Sequence, residues 1–245
     1  MSTINDQWNR DGSEQFLTEV SIPLYSFLSD GSIQPNPAFH RSWDKLHSRC
    51  IEYPFAASKL KQEKLILDIG TTKSSSLWIN YLKSYAQNHE VHGLDFDAPI
   101  KPLTPIQFRV SDIRDTAYKS DFFDVVVAVS VIEHIGLENA QVDHAEQPTV
   151  NTNGDIESLR EIKRILKPGG RLIMTLPYGI MEGLVLNDSA RCYSTDRLHR
   201  INDLFEVKCL EYYEYQYRNQ PILAIEHKFQ SQEKLQLLKQ LGLKT

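Results

Sequence analysis

The spacing of hydrophobic positions changes along the chain, and the changes predict strands that alternate with helices. Short apolar runs that end at a glycine or an acid predict buried strands at LILDIG (65–70), EVHGLD (90–95) and IQFRVSD (106–112). The run FDVVVAVSVI (123–132) is almost continuously apolar and β-branched, which is typical of a central strand covered on both faces. RLIMTLP (171–177) predicts a fifth strand.

Helical spacing separates these strands. Apolar residues recur at intervals of three and four over 75–87 and 156–166, and a further helix is predicted over 197–204. FEVKCLEYYEYQ (205–216) and ILAIEHKF (222–229) are predicted as a closing strand pair. Strands that alternate with helices form a parallel sheet covered by helices on both faces. The predicted fold class is therefore α/β: a doubly wound, Rossmann-like sheet of seven strands, mostly parallel, with an antiparallel final strand.

The chain is predicted to fall into three parts. Residues 1–62 form an N-terminal extension that is polar and irregular at first and then shows helical spacing over about 41–60. Residues 63–230 hold the α/β domain. Residues 231–245 repeat leucines at helical spacing and are predicted as a C-terminal helical tail.

Composition narrows the class of protein. Of 245 residues, 41% are hydrophobic and 24% are charged, which are ordinary globular values. Lys and Arg number 27 against 32 Asp and Glu, and the net charge of −5 disfavours a phosphate-driven nucleic-acid binder. The longest apolar run is VVVAV (125–129), whereas a membrane span needs roughly 20 residues, so we expect no membrane span. Three scattered cysteines and the lack of a secretory pattern predict a cytoplasmic protein.

Polar residues follow the predicted strands at their carboxyl ends, where open parallel sheets bind ligands. The first strand leads through Asp68 and Gly70 into a tight turn, which lets backbone N–H groups approach a carboxylate or phosphate. Asp95 follows about 25 residues after Gly70, where a carboxylate can accept hydrogen bonds from ribose hydroxyls. Asp112 and Ile113 suit an adenine ring, one for its amino group and one for its face. An isolated acid at a strand end is more often a helix cap, but the ordered set favours a nucleotide-like cofactor.

These stretches resemble a known family. LILDIGTTKSS, VHGLDFD, SDIRD, FDVVVAVSVIEHIG and LREIKRILKPGGRLIMTLPYG are similar to class I S-adenosylmethionine-dependent methyltransferases of the small-molecule type. The resemblance covers roughly residues 49–230 and is strongest to members from bacterial polysaccharide and secondary-metabolite clusters, which SRCIEYPF (48–55) and SARCYSTDRLHRI (189–201) also resemble. It implies S-adenosylmethionine as cofactor and residues 63–230 as the methyltransferase domain.

The resemblance also implies roles for single residues. Four residues of the first loop would surround the methionine moiety of the cofactor: Asp68, Gly70, Thr72 and Ser74. Asp95 would hold the ribose, Asp112 and Ile113 the adenine, and Ser130 would line the site. The family pattern is acid-x-Gly-x-Gly-x-Gly, and this chain departs from it because small polar residues, Thr72 and Ser74, replace the later glycines.

Candidate chemistry follows the central strand. Methyl transfer is an in-line displacement, and a hydroxyl nucleophile must also lose a proton. Glu133 and His134 lie where a base is needed, and histidine titrates near neutrality, so His134 is the candidate base. Local pairing of Glu133 and packing of His134 would explain both residues equally well. Some quinone O-methyltransferases resemble this region but carry a Glu-x-x-Glu-His metal site. Ser130 replaces the first carboxylate here, so we expect no metal, although Asp143, His144 and Glu146 could in principle add ligands.

The acceptor is predicted to contact residues after the fifth strand. Tyr178, Arg191 and Tyr193 lie there, and Arg191 could pair with an anionic group such as a sugar phosphate or uronate. A surface ion pair would explain Arg191 as well. The polar stretch 136–154 is long for a connection and is either a substrate lid or a tolerated insertion.

We therefore expect methyl transfer to a small-molecule acceptor, most simply O-methylation of a hydroxyl of a sugar or related metabolite. No nucleic-acid partner is expected, because SVIEHI follows the fourth strand in place of the Asn-Pro-Pro-Tyr type of motif that marks methylation of base amino groups. A non-catalytic binding module of the same fold, supported by Thr72 and Ser74, is one alternative. A nucleotide-dependent oxidoreductase is another. The acceptor, the methylated atom and a homo-oligomeric state are left open.

Overall fold

The structure is a computed structural model, and it describes eight stretches of the chain: 25–27, 33–35, 40–42, 49–137, 151–179, 181–185, 188–212 and 222–224. The predicted tail over 231–245 and most of the polar stretch 136–154 lie outside these residues. Within them, no helix is both long enough and apolar enough to cross a membrane.

The described strands and helices are as follows. The strands are β1 (Tyr25–Phe27), β2 (Ile33–Pro35), β3 (His40–Ser42), β4 (Leu65–Ile69), β5 (Glu90–Asp95), β6 (Gln107–Val110), β7 (Phe123–Val129), β8 (Leu166–Thr175), β9 (Gly183–Val185), β10 (Ala190–Cys192) and β11 (Ile222–Ala224). The helices are α1 (Arg49–Lys59), α2 (Ser76–Tyr85), α3 (Gly154–Ile165) and α4 (Thr195–Asn202), with single 3-10 turns at Thr71–Lys73 and Ile132–His134.

Five parallel strands form the central sheet in the order β6-β5-β4-β7-β8. This confirms the predicted α/β fold with a mostly parallel sheet. The chain runs outward from β4 to β6 and then returns to place β7 on the other side of β4. The order of the strands therefore reverses between β4 and β7, and ligands of such sheets bind at the carboxyl ends of the strands at that point.

Alternation along β7 explains why its sequence is apolar without interruption. Val125, Val127 and Val129 face a cluster that α1 and α2 complete, whereas Val126 and Ala128 face a second cluster completed by α3. Both faces of β7 are therefore buried, as the unbroken apolar run predicted. The two clusters hold the sheet between helical layers and leave the strand ends to carry polar residues.

The edges of the fold differ from the sequence prediction. Residues 205–212 carry no strand, and β11, the described part of the predicted strand over 222–229, pairs antiparallel with β3; the rest of the predicted strand pair lies outside the described residues. The sixth and seventh strands and the antiparallel final strand stay predictions. The helix predicted over about 41–60 is described over Arg49–Lys59, whereas residues 40–42 form a strand that pairs with β11. β8 begins at Leu166, ahead of the strand predicted over 171–177, and shows a register shift opposite β7.

Candidate functional site

The loop after β4 approaches the loop after β7 closely. Gly70 has a left-handed backbone with φ 78°, and a Cβ atom there would lie 2.5 Å from Val131 Cγ2. The Gly70 amide donates to the Leu94 carbonyl at 2.8 Å, which fixes the turn against β5. The predicted tight turn therefore requires glycine at position 70, both for its φ angle and for space.

Asp68 places a buried carboxyl group at the end of β4. The residue is 1% exposed, and Trp78 Nε1 donates to its Oδ1 atom at 2.9 Å. Its Oδ2 atom is buried and has no hydrogen-bond partner among the residues that the structure describes. Burial raises the pKa of Asp68 to about 7, and the hydrogen bond from Trp78 opposes the rise. An unpartnered carboxyl oxygen of this kind is an acceptor for a ligand's ammonium group.

Asp95, the predicted ribose ligand, is held by a residue of the β4 loop. The Thr72 amide donates to Asp95 Oδ2 at 2.9 Å, and the Thr72 hydroxyl donates to the same oxygen. The other oxygen, Oδ1, accepts a longer bond of 3.3 Å from the Asp97 amide. Ser74 turns away from this carboxylate, because its hydroxyl donates to the Gly70 carbonyl at 3.3 Å.

Asp112 and Ile113 lie together after β6, as predicted, but Asp112 has an internal partner. Arg114 Nε lies 3.0 Å and Nη2 2.6 Å from Asp112 Oδ2, a forked ion pair. Burial raises the pKa of Asp112, but the hydrogen bonds from Arg114 outweigh this and hold the pKa below its usual range. The Ile113 side chain is buried. Asp112 is therefore an ionised acceptor that a ligand would share with Arg114.

The loop after β7 brings Ser130, Glu133 and His134 together. Ser130 adopts φ 50°, an unusual conformation for a residue with a side chain, and its hydroxyl donates to Glu133 Oε1. Glu133 is buried, and its Oε2 atom lacks a hydrogen-bond partner within the described part of the chain. Burial raises the pKa of Glu133, while the neighbouring His134 opposes the rise.

The contacts of His134 define its tautomer. Nδ1 lies 2.6 Å from the Ser189 carbonyl oxygen, which can only accept, so Nδ1 carries a hydrogen. In the neutral ring Nε2 is then the acceptor, and it lies 3.8 Å from Glu133 Oε1. The His134 side chain is partly exposed. The arrangement can therefore take up a proton at Nε2 beside a buried carboxyl group.

Helix α1 supports this loop from outside the sheet, which the sequence analysis did not detect. The Ser130 amide donates to Thr175 Oγ1 at 3.0 Å, and the Thr175 hydroxyl donates to Glu52 Oε1 at 2.9 Å. Arg49 pairs with Glu52 one turn away on the same helix. In the sequence, this contact was indicated only by the spacing of Arg49 and Glu52 within SRCIEYPF. That spacing places both residues on one helix face but does not indicate which residues they contact.

The three predicted acceptor residues occupy different environments. Tyr178 is 39% exposed, and its hydroxyl lies 2.9 Å from Thr195 Oγ1. Arg191 is 3% exposed and donates to the backbone carbonyls of Glu133, Ile135 and Asn151.

The Tyr193 side chain is fully buried, and its hydroxyl donates to Asp155 Oδ2 at 3.0 Å. These positions favour a structural role for Arg191 and Tyr193 and leave Tyr178 as the member of the set able to contact an acceptor.

A buried ion pair holds the helices below this region, and the sequence analysis missed it. Arg197 Nη2 lies 2.7 Å from Asp155 Oδ1, and Arg197 Nε lies 2.8 Å from Asp155 Oδ2. Burial raises the pKa of Asp155, but Arg197 outweighs it and holds the pKa below its usual range. The pair joins the amino end of α3 to α4. From the sequence, Asp155 in the first turn of a helix would have been interpreted as a helix cap, with no indication that it pairs with Arg197.

Metal-ligating side chains do not cluster in the described residues: no group of three or more His, Cys, Asp or Glu there could hold an ion. Asp143, His144 and Glu146 lie outside those residues.

The strand ends fit S-adenosylmethionine better than they fit a metal. Asp68 offers an unpartnered oxygen for an ammonium group. Asp95 keeps one oxygen with a single long bond, and Ile113 presents an apolar neighbour to Asp112. These acceptor groups lie along the carboxyl ends of β4, β5 and β6.

Residues 67–174 match the family model described as a methyltransferase domain. This part of the chain has the features of a methyltransferase domain, with a parallel sheet and acids at the carboxyl ends of its strands. The resemblance seen in the sequence is thereby confirmed, and S-adenosylmethionine is the cofactor of this domain.

The chain is also similar to individual proteins. A tRNA (carboxymethyluridine(34)-5-O)-methyltransferase of Arabidopsis thaliana is 23% identical over 198 residues, which cover 71% of this chain and 44% of that protein. A methyltransferase structure from Methanosarcina mazei is 15% identical with a TM-score of 0.43, covering 67% of this chain and 92% of the other. The structure of the cyclase SpnF is 17% identical with a TM-score of 0.44, covering 76% and 64%. The chain thus spans less than half of the Arabidopsis relative.

Proposed function

We propose that the protein transfers a methyl group from S-adenosylmethionine to an oxygen of a small-molecule acceptor, with His134 as the general base. The observation that carries this proposal is the tautomer of His134, since the bond from Nδ1 to the Ser189 carbonyl leaves Nε2 free to accept a proton. When bound, the cofactor supplies an electrophilic methyl group and departs as a neutral thioether.

The residues around the base fit this role. The acceptor hydroxyl would give its proton to His134 Nε2 as its oxygen bonds to the methyl carbon and the carbon–sulfur bond breaks. Glu133 Oε1 lies 3.8 Å from Nε2 and would stabilise the imidazolium that forms. Arg191 would keep the loop in place through the Glu133 and Ile135 carbonyls. Base, carboxyl group and loop are thus arranged before any acceptor binds.

We propose the cofactor contacts that the resemblance implies. Asp68, Gly70, Thr72 and Ser74 would surround the methionine moiety, and the unpartnered Asp68 Oδ2 supports this position for the ammonium group. Asp95 would contact the ribose, Asp112 with Ile113 the adenine, and Ser130 would line the site. Support for these roles comes from the order of the acids along β4, β5 and β6.

The proposed acceptor is a sugar or related metabolite with a free hydroxyl. Its support is the exposed Tyr178, close to the end of β8, and a net charge of −5 that disfavours a polyanionic substrate. We also retain the cytoplasm as the proposed location, on the three scattered cysteines.

A second candidate acceptor is RNA. It is favoured by the similarity to the Arabidopsis tRNA methyltransferase and disfavoured by the net charge. The two candidates predict methyl label in different fractions of the same assay.

The test begins with calorimetric titration by S-adenosylmethionine and S-adenosylhomocysteine, with NAD as control. We expect the first two to bind and NAD not to bind. Methyl-labelled cofactor is then supplied with a pool of sugars and nucleotide sugars, or with total tRNA. Label in the sugar fraction supports the proposal, and label in tRNA supports the second candidate. Cofactor binding without transfer to either pool would favour a non-catalytic module, and NAD binding would favour the oxidoreductase.

A variant isolates the base. His134→Gln keeps a hydrogen-bond donor but removes the basic nitrogen, so transfer should fall roughly 100-fold or more while cofactor affinity changes little. His199→Gln on α4 serves as the matched control and should keep the wild-type rate. Equal rates for the wild type and His134→Gln would remove His134 from the mechanism.

A further inference from the structure

Thr72 hydrogen-bonds to Asp95, the residue whose carboxylate is proposed to bind the ribose. Its amide and its hydroxyl both donate to Asp95 Oδ2. Thr72 is 7% exposed and Asp95 is 8% exposed, so this contact lies in a desolvated part of the site. A hydroxyl group that donates to Asp95 has the same chemistry as a ribose hydroxyl.

We propose that Thr72 is a specificity-determining residue, because its hydroxyl takes the place of one ribose hydroxyl on Asp95. This inference rests on the proposed function, since it assumes that Asp95 contacts the ribose of the cofactor. The amide of residue 72 donates to Oδ2 whatever its side chain is. The side chain alone decides whether a second donor is already present on that oxygen.

The two oxygens of Asp95 are therefore not equivalent. Oδ2 already accepts two hydrogen bonds from Thr72, whereas Oδ1 accepts one bond of 3.3 Å from the Asp97 amide. A carboxylate oxygen has about two lone-pair sites, so Oδ2 is saturated and Oδ1 has room for a donor. One ribose hydroxyl can bind at Oδ1 directly, and the other must displace the Thr72 hydroxyl.

Displacement lowers cofactor affinity. A hydrogen bond between a hydroxyl and a buried carboxylate has to be broken before the second ribose hydroxyl can form its own, so little is gained from that exchange. Without the Thr72 hydroxyl, the carboxylate of the free protein would lack one donor, and the ribose would supply it. The free protein would then be less stable and would bind the cofactor more tightly.

The experiment compares threonine variants by titration with S-adenosylhomocysteine. Thr72→Val keeps the shape of the side chain and removes the hydroxyl, and we expect affinity to increase about 10-fold, the equivalent of one net hydrogen bond. Thr72→Ser keeps a hydroxyl and should stay within about threefold of the wild type. Thr116→Val is the matched control, because the amide and the hydroxyl of the buried Thr116 both donate to one oxygen of Glu161 and not to Asp95.

Thermal unfolding of the free proteins gives a second readout. Without ligand, Thr72→Val should unfold at a lower temperature than the wild type. Adding S-adenosylhomocysteine should raise its unfolding temperature by more than it raises that of the wild type. A residue with only a structural role would lower both stability and affinity when changed. Unchanged or weaker affinity in folded Thr72→Val protein would therefore overturn the inference while leaving the proposed function intact.

A third measurement uses the wild-type protein and does not depend on folding of a variant. The 2′-deoxy and 3′-deoxy analogues of S-adenosylhomocysteine each lack one ribose hydroxyl. We expect one analogue to bind within about threefold of the parent and the other to bind about 10-fold more weakly. Equal losses would contradict the inference, and no binding of the parent compound would refute the proposed cofactor site together with it.

Discussion

Replacement of Asp68 by asparagine should change the pH dependence of stability. The Asp68 carboxyl group has an ordinary pKa of 3.8, and its burial raises the pKa to about 7 in the folded protein. Between these values the folded state holds a proton that the unfolded state has lost. The contribution of Asp68 to the free energy of unfolding therefore falls as the pH rises from about 4 to about 7 and stays low above that range. The Asp68→Asn protein lacks this loss, because an amide does not titrate.

The size of the effect follows from the same two values. A gap from 3.8 to about 7 corresponds to at most about 4 kcal/mol of stability lost, at roughly 1.4 kcal/mol for each tenfold change. Asparagine keeps an oxygen to accept the hydrogen bond from Trp78 Nε1, so the variant should fold with the same core. At pH 8 it should be more stable than the wild type, and at pH 4 the two should be similar.

Urea unfolding at pH 4.5, 6 and 8, followed by far-ultraviolet circular dichroism, measures this difference. Parallel pH profiles for wild type and Asp68→Asn would refute the reasoning, because they would mean that Asp68 has the same pKa in the folded and the unfolded state. The same variant should bind S-adenosylmethionine more weakly, since a neutral amide replaces the carboxylate proposed for the ammonium group. Greater stability with weaker binding would mark Asp68 as a residue kept for its ligand.

The remaining predictions concern the turn, the ion pair and the ribose contact. Gly70→Ala should destabilise the fold by about 1–3 kcal/mol and weaken cofactor binding, because its Cβ would lie 2.5 Å from Val131 Cγ2. Urea unfolding and calorimetric titration measure the two effects, and a variant with wild-type stability and affinity would contradict the prediction. Asp155→Ala leaves Arg197 buried without its main partner and should lower the free energy of unfolding by about 3–5 kcal/mol. An unchanged free energy of unfolding would show that the ion pair does not stabilise the fold. Asp95→Ala should weaken cofactor binding by about 1–3 kcal/mol, and unchanged affinity would exclude the ribose assignment.

Local patterns predicted the central sheet well. β7 is apolar on both faces because two helical layers cover it, and the sequence carries that information in every residue. The turn at the end of β4 was equally predictable from the sequence, since Gly70 adopts a φ of 78° that few other residues tolerate. Strand ends and the order of the acids thus follow from the chain itself, whereas the cofactor was implied by the resemblance to a known family.

Contacts between distant segments could not be predicted in this way. Arg191 was expected to face an acceptor, but it is buried because three backbone carbonyls of the preceding loops need donors. Thr72 was interpreted only as a small replacement for glycine, whereas its hydroxyl reaches Asp95 on the next strand. Periodicity reports which face of an element is buried, and it does not report which polar group will be within reach.

Helix α1 has a consequence for the way this protein can be divided. The family match begins at residue 67, yet Tyr53 stacks on Trp78 with ring centroids 5.1 Å apart, and its hydroxyl accepts from the Ser75 amide at 3.2 Å. On the same helix, Glu52 accepts from Thr175. A fragment cut at the family boundary would keep Asp68 but lose the helix that packs on Trp78, the donor to Asp68. A transplantable catalytic unit must therefore carry this helix with the sheet.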